Sequence, residues 1–329
     1  MVKTAFCCSQ HPETNWEIHH LSVVDGTEQQ TGQRTTASFV PDIGCNLLGL
    51  KVDQIDYLYG VGETPEGPTL LGTPILYPTP NRVRNGTFTF DQRTFTFPAN
   101  NGDHFIHGLV RDVPWKVDKP QITDQGISVT ARVVFEPGNA LYERFPIANT
   151  LELTYRLRPR SIRLAFAVHN DDPTSRLPFG LAIHPYFPII GSRDSVRIQV
   201  PAQKWMEAEN LIPTGRLLDL DDAPANLNQP TSLQDLDLDD VYWGADPEHP
   251  QVIYYDEIGK KVTLRASDIF THCVVYTPPN QPYFCIENQS CSTDAHNLYA
   301  RGEQEAAHLI ILNPGESATG SIEMAVSDQ

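Results

Sequence analysis

An all-β protein, built as one large antiparallel β-sandwich, is what this 329-residue sequence predicts, and three observations carry that reading. Apolar and polar side chains alternate with a period of two in several stretches, the signature of strands with one buried face. Proline (27 residues) and glycine (21) interrupt the chain too often for long helices, and they fall between the alternating stretches, where turns belong. No segment of useful length repeats its apolar residues at helical spacing; only 233–238 and 303–307 could make a turn or two of helix.

Taken in order, residues 19–24 and 35–40 are short mixed segments separated by Asp25-Gly26-Thr27 and Thr31-Gly32, the composition of strands joined by turns. The stretch 41–50 continues as a strand carrying Gly44 and Gly49, the mark of a bulge or close backbone packing. A loop rich in Gly, Pro and Glu spans 60–72. Pro74, Pro78 and Pro80 then forbid a helix and place Asn81 and Arg82 on an irregular, exposed connection, the kind of loop where binding residues concentrate. Phe88, Phe90, Phe95 and Phe97 alternate with threonines about Asp91-Gln92-Arg93, so all four can share the core face of a hairpin. A polar loop at 100–108 bears His104 and His107, whose spacing suits a metal but lacks a helix and a third ligand. Alternation returns between 127 and 168, clearest where Ile162, Leu164, Phe166 and Val168 point one way and Arg163, Ala165, Ala167 and His169 the other. Further short strands fall at 196–200, 252–255, 261–265 and 273–276, with an acidic, solvated loop at 218–224. With no linker and no long-range repeat, residues 1–329 read as a single domain.

Bulk properties exclude several classes of function. Hydrophobic residues make up 40% and charged residues 20%, a globular composition, and no apolar run approaches the roughly 20 residues of a membrane span. The formal charge of −17 repels phosphate backbones and anionic lipid, so neither nucleic acid nor a membrane is the expected partner, whereas a small neutral ligand is not penalised. The first ten residues are too polar for a secretory core, which points to the cytoplasm. Six cysteines without a Cys-x-x-Cys pair form neither a disulfide framework nor a zinc knuckle, and are expected to be reduced and structural.

Two stretches concentrate chemistry. In Gly180-Leu181-Ala182-Ile183-His184-Pro185-Tyr186-Phe187 a short apolar strand delivers one imidazole to its end, and Pro185, without an N–H, stops the ladder there. An imidazole near its ordinary pKa of about 6.5 can give or take a proton at neutrality. In Pro282-Tyr283-Phe284-Cys285-Ile286-Glu287-Asn288-Gln289-Ser290 an apolar strand ends in a carboxylate followed by amide and hydroxyl groups. Each residue alone is more commonly an inert core or surface group; paired across a cleft, His184 and Glu287 would form an acid–base couple.

Taken together, Asn81-Arg82-Val83-x-x-Gly86, His107-Gly108, His184-Pro185-Tyr186-Phe187, Leu238-Asp239-Asp240-Val241-Tyr242 and Glu287-Asn288-Gln289-Ser290, in that order over most of the chain, resemble the aldose 1-epimerases, or galactose mutarotases. The resemblance implies a β-supersandwich of the galactose mutarotase-like type, no cofactor and no metal, and interconversion of the α and β anomers of a free hexose of the glucose or galactose type. It assigns Glu287 as the general base that takes the proton from the anomeric hydroxyl and His184 as the general acid that protonates the ring oxygen. Asn81, Arg82, His107 and Asp239 become the residues that bind sugar hydroxyls; Asp239 is preferred to Asp240 because it stands three before Tyr242. A charged guanidinium and carboxylate suit that task, since charge-assisted hydrogen bonds are stronger than neutral ones. Neighbouring Glu287 and Asp239 are expected to hold His184 protonated. The alternatives are a non-catalytic carbohydrate-binding or regulatory module of the same fold, and a hexose-6-phosphate 1-epimerase, whose phosphate-binding arginines are not evident. A monomer or weak dimer is the expected state.

Overall fold

The alternating stretches become strands buried on one face. In Ser161–Asn170, Ile162, Leu164, Phe166 and Val168 lie at 0–2% exposure, while Arg163 is exposed on the other face. A computed structural model describes residues 2–25, 33–64 and 67–329, so the turns expected at Gly26-Thr27 and Thr31-Gly32 lie outside the described residues.

Three antiparallel sheets account for most of the strands described. A ten-stranded sheet contains the run Gly126–Phe135, Asn149–Arg158, Ser161–Asn170, Ser317–Asp328, Lys260–Ala266 and Gln251–Tyr255. An eight-stranded sheet runs Ile212–Leu218, Lys204–Glu209, Asp239–Trp243, His272–Tyr276, Tyr283–Gln289, Ala182–Ile183 and Ile75–Leu76, with Tyr186–Pro188 also paired to Tyr283–Gln289. A five-stranded amino-terminal sheet begins with Lys3–Gln10 and Glu17–Asp25. Their inner faces share one core, to which Val23 and Phe39 contribute from the first sheet, Leu153 and Leu164 from the large one, and Val275, Phe284 and Ile286 from the eight-stranded one. Burying each such side chain is worth about 1.5–3 kcal/mol, the term that holds the sheets face to face. The all-β antiparallel expectation holds.

The phenylalanine hairpin forms as Thr87–Phe90 against Arg93–Thr96, with Phe88 stacked on Phe95 at 4.9 Å between centroids and all four rings buried. Its turn is Asp91-Gln92 alone, both left-handed (φ 48° and 61°), and Arg93 belongs to the strand opposite Phe90.

Several local expectations need correction. The stretch from Pro74 to Asn81 is not an exposed loop: Ile75, Leu76, Tyr77, Thr79 and Asn81 are 0–4% exposed. Its carbonyls are taken by the chain around it, Leu109 N–H donating to Tyr77 O and Gly180 N–H to Pro78 O, both at 2.7 Å. Pro78 and Pro80 have no N–H to leave unpaired, which lowers the cost of burying this backbone. Residues 233–238 form a turn rather than a helix because Arg193 captures the carbonyls of Leu233, Leu236, Thr277 and Pro278 at 2.9–3.2 Å. Helices instead form at Ala140–Arg144, capped by the Asn139 side chain, at Ala295–Ala300 and at Gln304–Ala307, the last anticipated. They are too short to carry a periodic signal. Lastly, Lys3–Gln10 is a strand exposed over nearly its whole length, so alternation could not reveal it, and Cys7 and Cys8 are exposed on it; Cys45, Cys273, Cys285 and Cys291 are buried, and all six are free.

Candidate active site

Two broken strands put the imidazole opposite the carboxylate. Ala182 pairs with Gln289, and Tyr186 pairs with Cys285, in one continuous register along Tyr283–Gln289, so position 184 falls opposite position 287. Pro185 interrupts the ladder between them, and the His184 N–H donates to Pro74 O (3.0 Å) instead. The gap leaves His184 Nε2 3.3 Å from Glu287 Oε1, with both side chains under 10% exposed. Glu287 is not at a strand end as expected; it sits inside Tyr283–Gln289 and is 2% exposed. Gln289, two residues on and therefore on the same face, donates to Glu287 Oε2 at 3.3 Å. Sequence reasoning passed over Gln289, although the i, i+2 spacing within Glu-Asn-Gln-Ser carried the signal.

Asp239 lies on this same face. It pairs with Tyr276, which pairs in turn with Cys285, and the alternation that places Glu287 on the face places Cys285 and Asp239 there with it. Asp240 points to the other side and accepts from Trp205 Nε1 at 2.9 Å, which separates the two aspartates that spacing alone left adjacent.

Arg82, on the two-residue strand Arg82–Val83, reaches Asp239 Oδ2 (3.4 Å), Asn81 Oδ1 (3.1 Å) and Asn101 Oδ1 (3.2 Å). Asp294 clamps that strand from behind: its N–H donates to Arg82 O (2.8 Å) and its buried carboxylate accepts from Arg84 N–H (2.9 Å). Asn81 and His107 both hold left-handed backbone (φ 53° and 70°), tied by His107 N–H donating to Asn81 O at 3.0 Å. The glycine of His107-Gly108 is required there, since a Cβ on Gly108 (φ +68°) would stand 2.3 Å from Tyr77 O. The His107 ring meets His184 edge to face at 5.1 Å, and Tyr186 stacks flat on the other side of His184 at 4.7 Å. The structure thus brings together all six residues singled out in the sequence, Asn81, Arg82, His107, His184, Asp239 and Glu287. His104 is turned away and accepts from Asn85 N–H at 3.1 Å.

Burial sets the protonation of the site. It pushes Glu287 well above the usual carboxylate range, and the neighbouring Asp239 charge adds to the push, while the Gln289 hydrogen bond and Arg82 act against it. Burial also lowers His184 to about 4, with Arg111 contributing, and takes His107 well below its ordinary value. The expectation that Glu287 and Asp239 keep His184 cationic is therefore corrected, because loss of hydration outweighs attraction to the carboxylate. Both shifts favour the uncharged forms, and moving one proton from Glu287 to His184 gives carboxylate and imidazolium with no change in total charge. Among the described residues, a set of side chains close enough to share a metal is Cys8, Glu17 and His19 on the amino-terminal strands, with ligand atoms within 4.8 Å of one another, and not the site.

The profile of the aldose 1-epimerase family matches residues 27–325. A galactose mutarotase-like protein from Clostridium acetobutylicum shares the fold with a TM-score of 0.81 at 20% identity, covering 100% of this chain and 99% of that one. Galactose 1-epimerase from Lactobacillus acidophilus gives a TM-score of 0.73 at 16% identity, covering 100% and 99%. In sequence, galactose mutarotase from Sus scrofa is 26% identical over 158 residues, 46% of this chain and 44% of that protein. The uncharacterized protein YihR of Escherichia coli is 23% identical over 227 residues, 68% and 71% of the two chains. With a profile match that runs almost from end to end and a fold of the galactose mutarotase type, the chain belongs to the aldose 1-epimerase family.

Proposed function

We propose that the chain is an aldose 1-epimerase, acting without a cofactor on a hexose of the glucose or galactose type that carries a free anomeric hydroxyl. The observation that carries this reading is the direct contact of two buried proton-transfer groups, His184 Nε2 and Glu287 Oε1 at 3.3 Å, on the face that also bears Asp239, which Arg82 reaches from a neighbouring strand. Glu287, as carboxylate, takes the proton of the anomeric hydroxyl while His184, as imidazolium, gives one to the ring oxygen. The bond from the anomeric carbon to the ring oxygen breaks, leaving an open-chain aldehyde, a protonated Glu287 and a neutral His184. Rotation about the bond next to the carbonyl presents its other face, and closure returns both protons. The open-chain stage leaves both groups neutral, the form that burial favours, so the site is matched to the intermediate better than to the starting ion pair. Arg82, Asp239, His107 and Asn81 supply donors and acceptors for the remaining hydroxyls, the charged two most strongly.

Polarimetry on freshly dissolved α-D-glucose and α-D-galactose tests this. Equilibration faster than the spontaneous rate, in proportion to protein concentration, is the expected result. Tight sugar binding by calorimetry without faster equilibration would replace the enzyme with a carbohydrate-binding module.

A further inference from the structure

Glu287 has two carboxylate oxygens, and they have different neighbours. Oε1 lies 3.3 Å from His184 Nε2, whereas Oε2 accepts from Gln289 Nε2 at 3.3 Å. Asn288, between them on the strand, turns to the opposite face and donates to Gln251 Oε1 at 3.1 Å. In register, Gln289 is flanked by Ala182 on one side and His272 on the other. Ala182 has no polar side-chain atom. His272 is engaged at both ring nitrogens: Nε2 donates to Ala306 O at 3.0 Å, which leaves Nδ1 to accept from the Thr271 hydroxyl at 2.9 Å. The Gln289 side chain therefore serves Glu287 alone, since its Oε1 has no protein partner among the described residues. Gln289 is 0% exposed, and burying an amide with one end unpaired costs stability, a cost that is accounted for if the site needs the other end.

The anomeric carbon carries the hydroxyl oxygen and the ring oxygen on one atom, so base and acid must present their reacting atoms side by side. Glu287 Oε1 and His184 Nε2 stand in that relation. Rotation of the carboxylate would exchange its two oxygens, and a hydrogen bond to Oε2 from an amide packed at 0% exposure opposes that rotation. Once Oε1 has taken the anomeric proton, Oε2 is still an acceptor. The same hydrogen bond therefore persists through ring opening and closure, stronger to the carboxylate than to the acid. That difference acts against the push that burial gives Glu287 towards its protonated form.

We propose that Gln289 is a positioning residue for the base: it ties back Glu287 Oε2 and favours the carboxylate, so that Oε1 is the oxygen that takes the anomeric proton and returns it on closure. The proposal rests on the epimerase reading above and adds a residue that acts through Glu287 rather than on the sugar. Polarimetric kinetics on α-D-galactose between pH 5 and pH 9, with the wild type, Gln289→Met and Gln289→Glu, test it. Methionine keeps the length and loses the donor, and is expected to lower kcat about tenfold or more while KM stays within about twofold. Glutamate is nearly isosteric with glutamine and donates only while protonated. Gln289→Glu is therefore expected to recover most of the lost kcat at pH 5, and to lose it again at a lower pH than the wild type does. Partial loss of folded protein does not mimic a recovery that depends on pH. Should Gln289→Met not fold, Gln289→Asn, which withdraws the amide by one carbon, takes its place. A raised KM with unchanged kcat, or a Gln289→Glu variant no faster at pH 5 than Gln289→Met, would overturn the positioning role and leave the epimerase intact; a wild type that does not accelerate equilibration would overturn both.

Discussion

At the scale of single residues, the site is governed by what burial does to two titratable groups. The mechanism proposed above needs one proton on the His184–Glu287 pair. A second is added only as pH falls through the lowered value of His184, about 4, and the first is lost only above the raised value of Glu287. The rate is therefore expected to show no loss as pH falls through 6.5 to about 5, measured as initial polarimetric rates immediately after a pH jump. An ordinary imidazolium acid would instead lose activity as pH rises through about 6.5, and such a step would contradict the assignment. Gly108→Ala is a second residue-scale prediction: it adds a Cβ 2.3 Å from Tyr77 O at φ +68°, so either the Tyr77–Pro78 segment or His107 must shift. Calorimetry should record a loss of more than about 2 kcal/mol, and the KM for sugar should rise with it. The six candidate site residues were legible in the sequence through its ordered resemblance to the aldose 1-epimerases, and the structure brings them together. Their protonation was not, because the desolvation of His184 and Glu287 comes from contacts far away in the chain.

At the scale of elements, period-two alternation exposed the long strands, and it failed where an element has two residues or two exposed faces. Arg82–Val83 and Ala182–Ile183 are two residues long, and Lys3–Gln10 is exposed on both faces, so none of these could declare itself by pattern. The buried course of Pro74 to Asn81 was hidden for a different reason, since prolines mark loops whether the loop is wet or walled in. The turn at 233–238 depends on Arg193, forty residues upstream of its first acceptor, Leu233 O. It leads straight into Asp239, so Arg193 holds a proposed sugar-binding residue through its backbone. Arg193→Met keeps the stem and removes four hydrogen bonds. At about 1 kcal/mol each, partly offset by water, a loss of about 2–4 kcal/mol is expected in urea unfolding, together with a raised KM. A KM equal to the wild type's would show that Asp239 is held by its strand neighbours alone.

At the scale of the whole molecule, one core joins the three sheets, and residues 1–329 are proposed to unfold as a single domain. Four histidines, His107, His184, His272 and His296, are buried with lowered values, about 4 for His184 and His296 and about 3 for His272. Each is depressed below its unfolded value near 6.5, so its stabilising contribution is complete above pH 6.5 and is lost as pH falls towards the folded value. Glu287 is raised and has the opposite sign: the native state holds its proton while the unfolded chain releases it, so acidification favours folding through that group. Three histidines' worth of uncompensated proton uptake sets an upper slope of about 4 kcal/mol per pH unit between pH 6 and 5. Scanning calorimetry should therefore give one transition whose Tm falls steeply from pH 7 to pH 5; two transitions, or an unchanged Tm, would contradict this. The most direct test of the central claim is the polarimetric rate on α-D-galactose of the wild type, Glu287→Gln and His184→Asn, each with its fold checked by circular dichroism. General acid–base catalysis of this kind contributes about a hundredfold or more, so both variants should fall at least that far while remaining folded; a folded Glu287→Gln variant within tenfold of the wild type would contradict it.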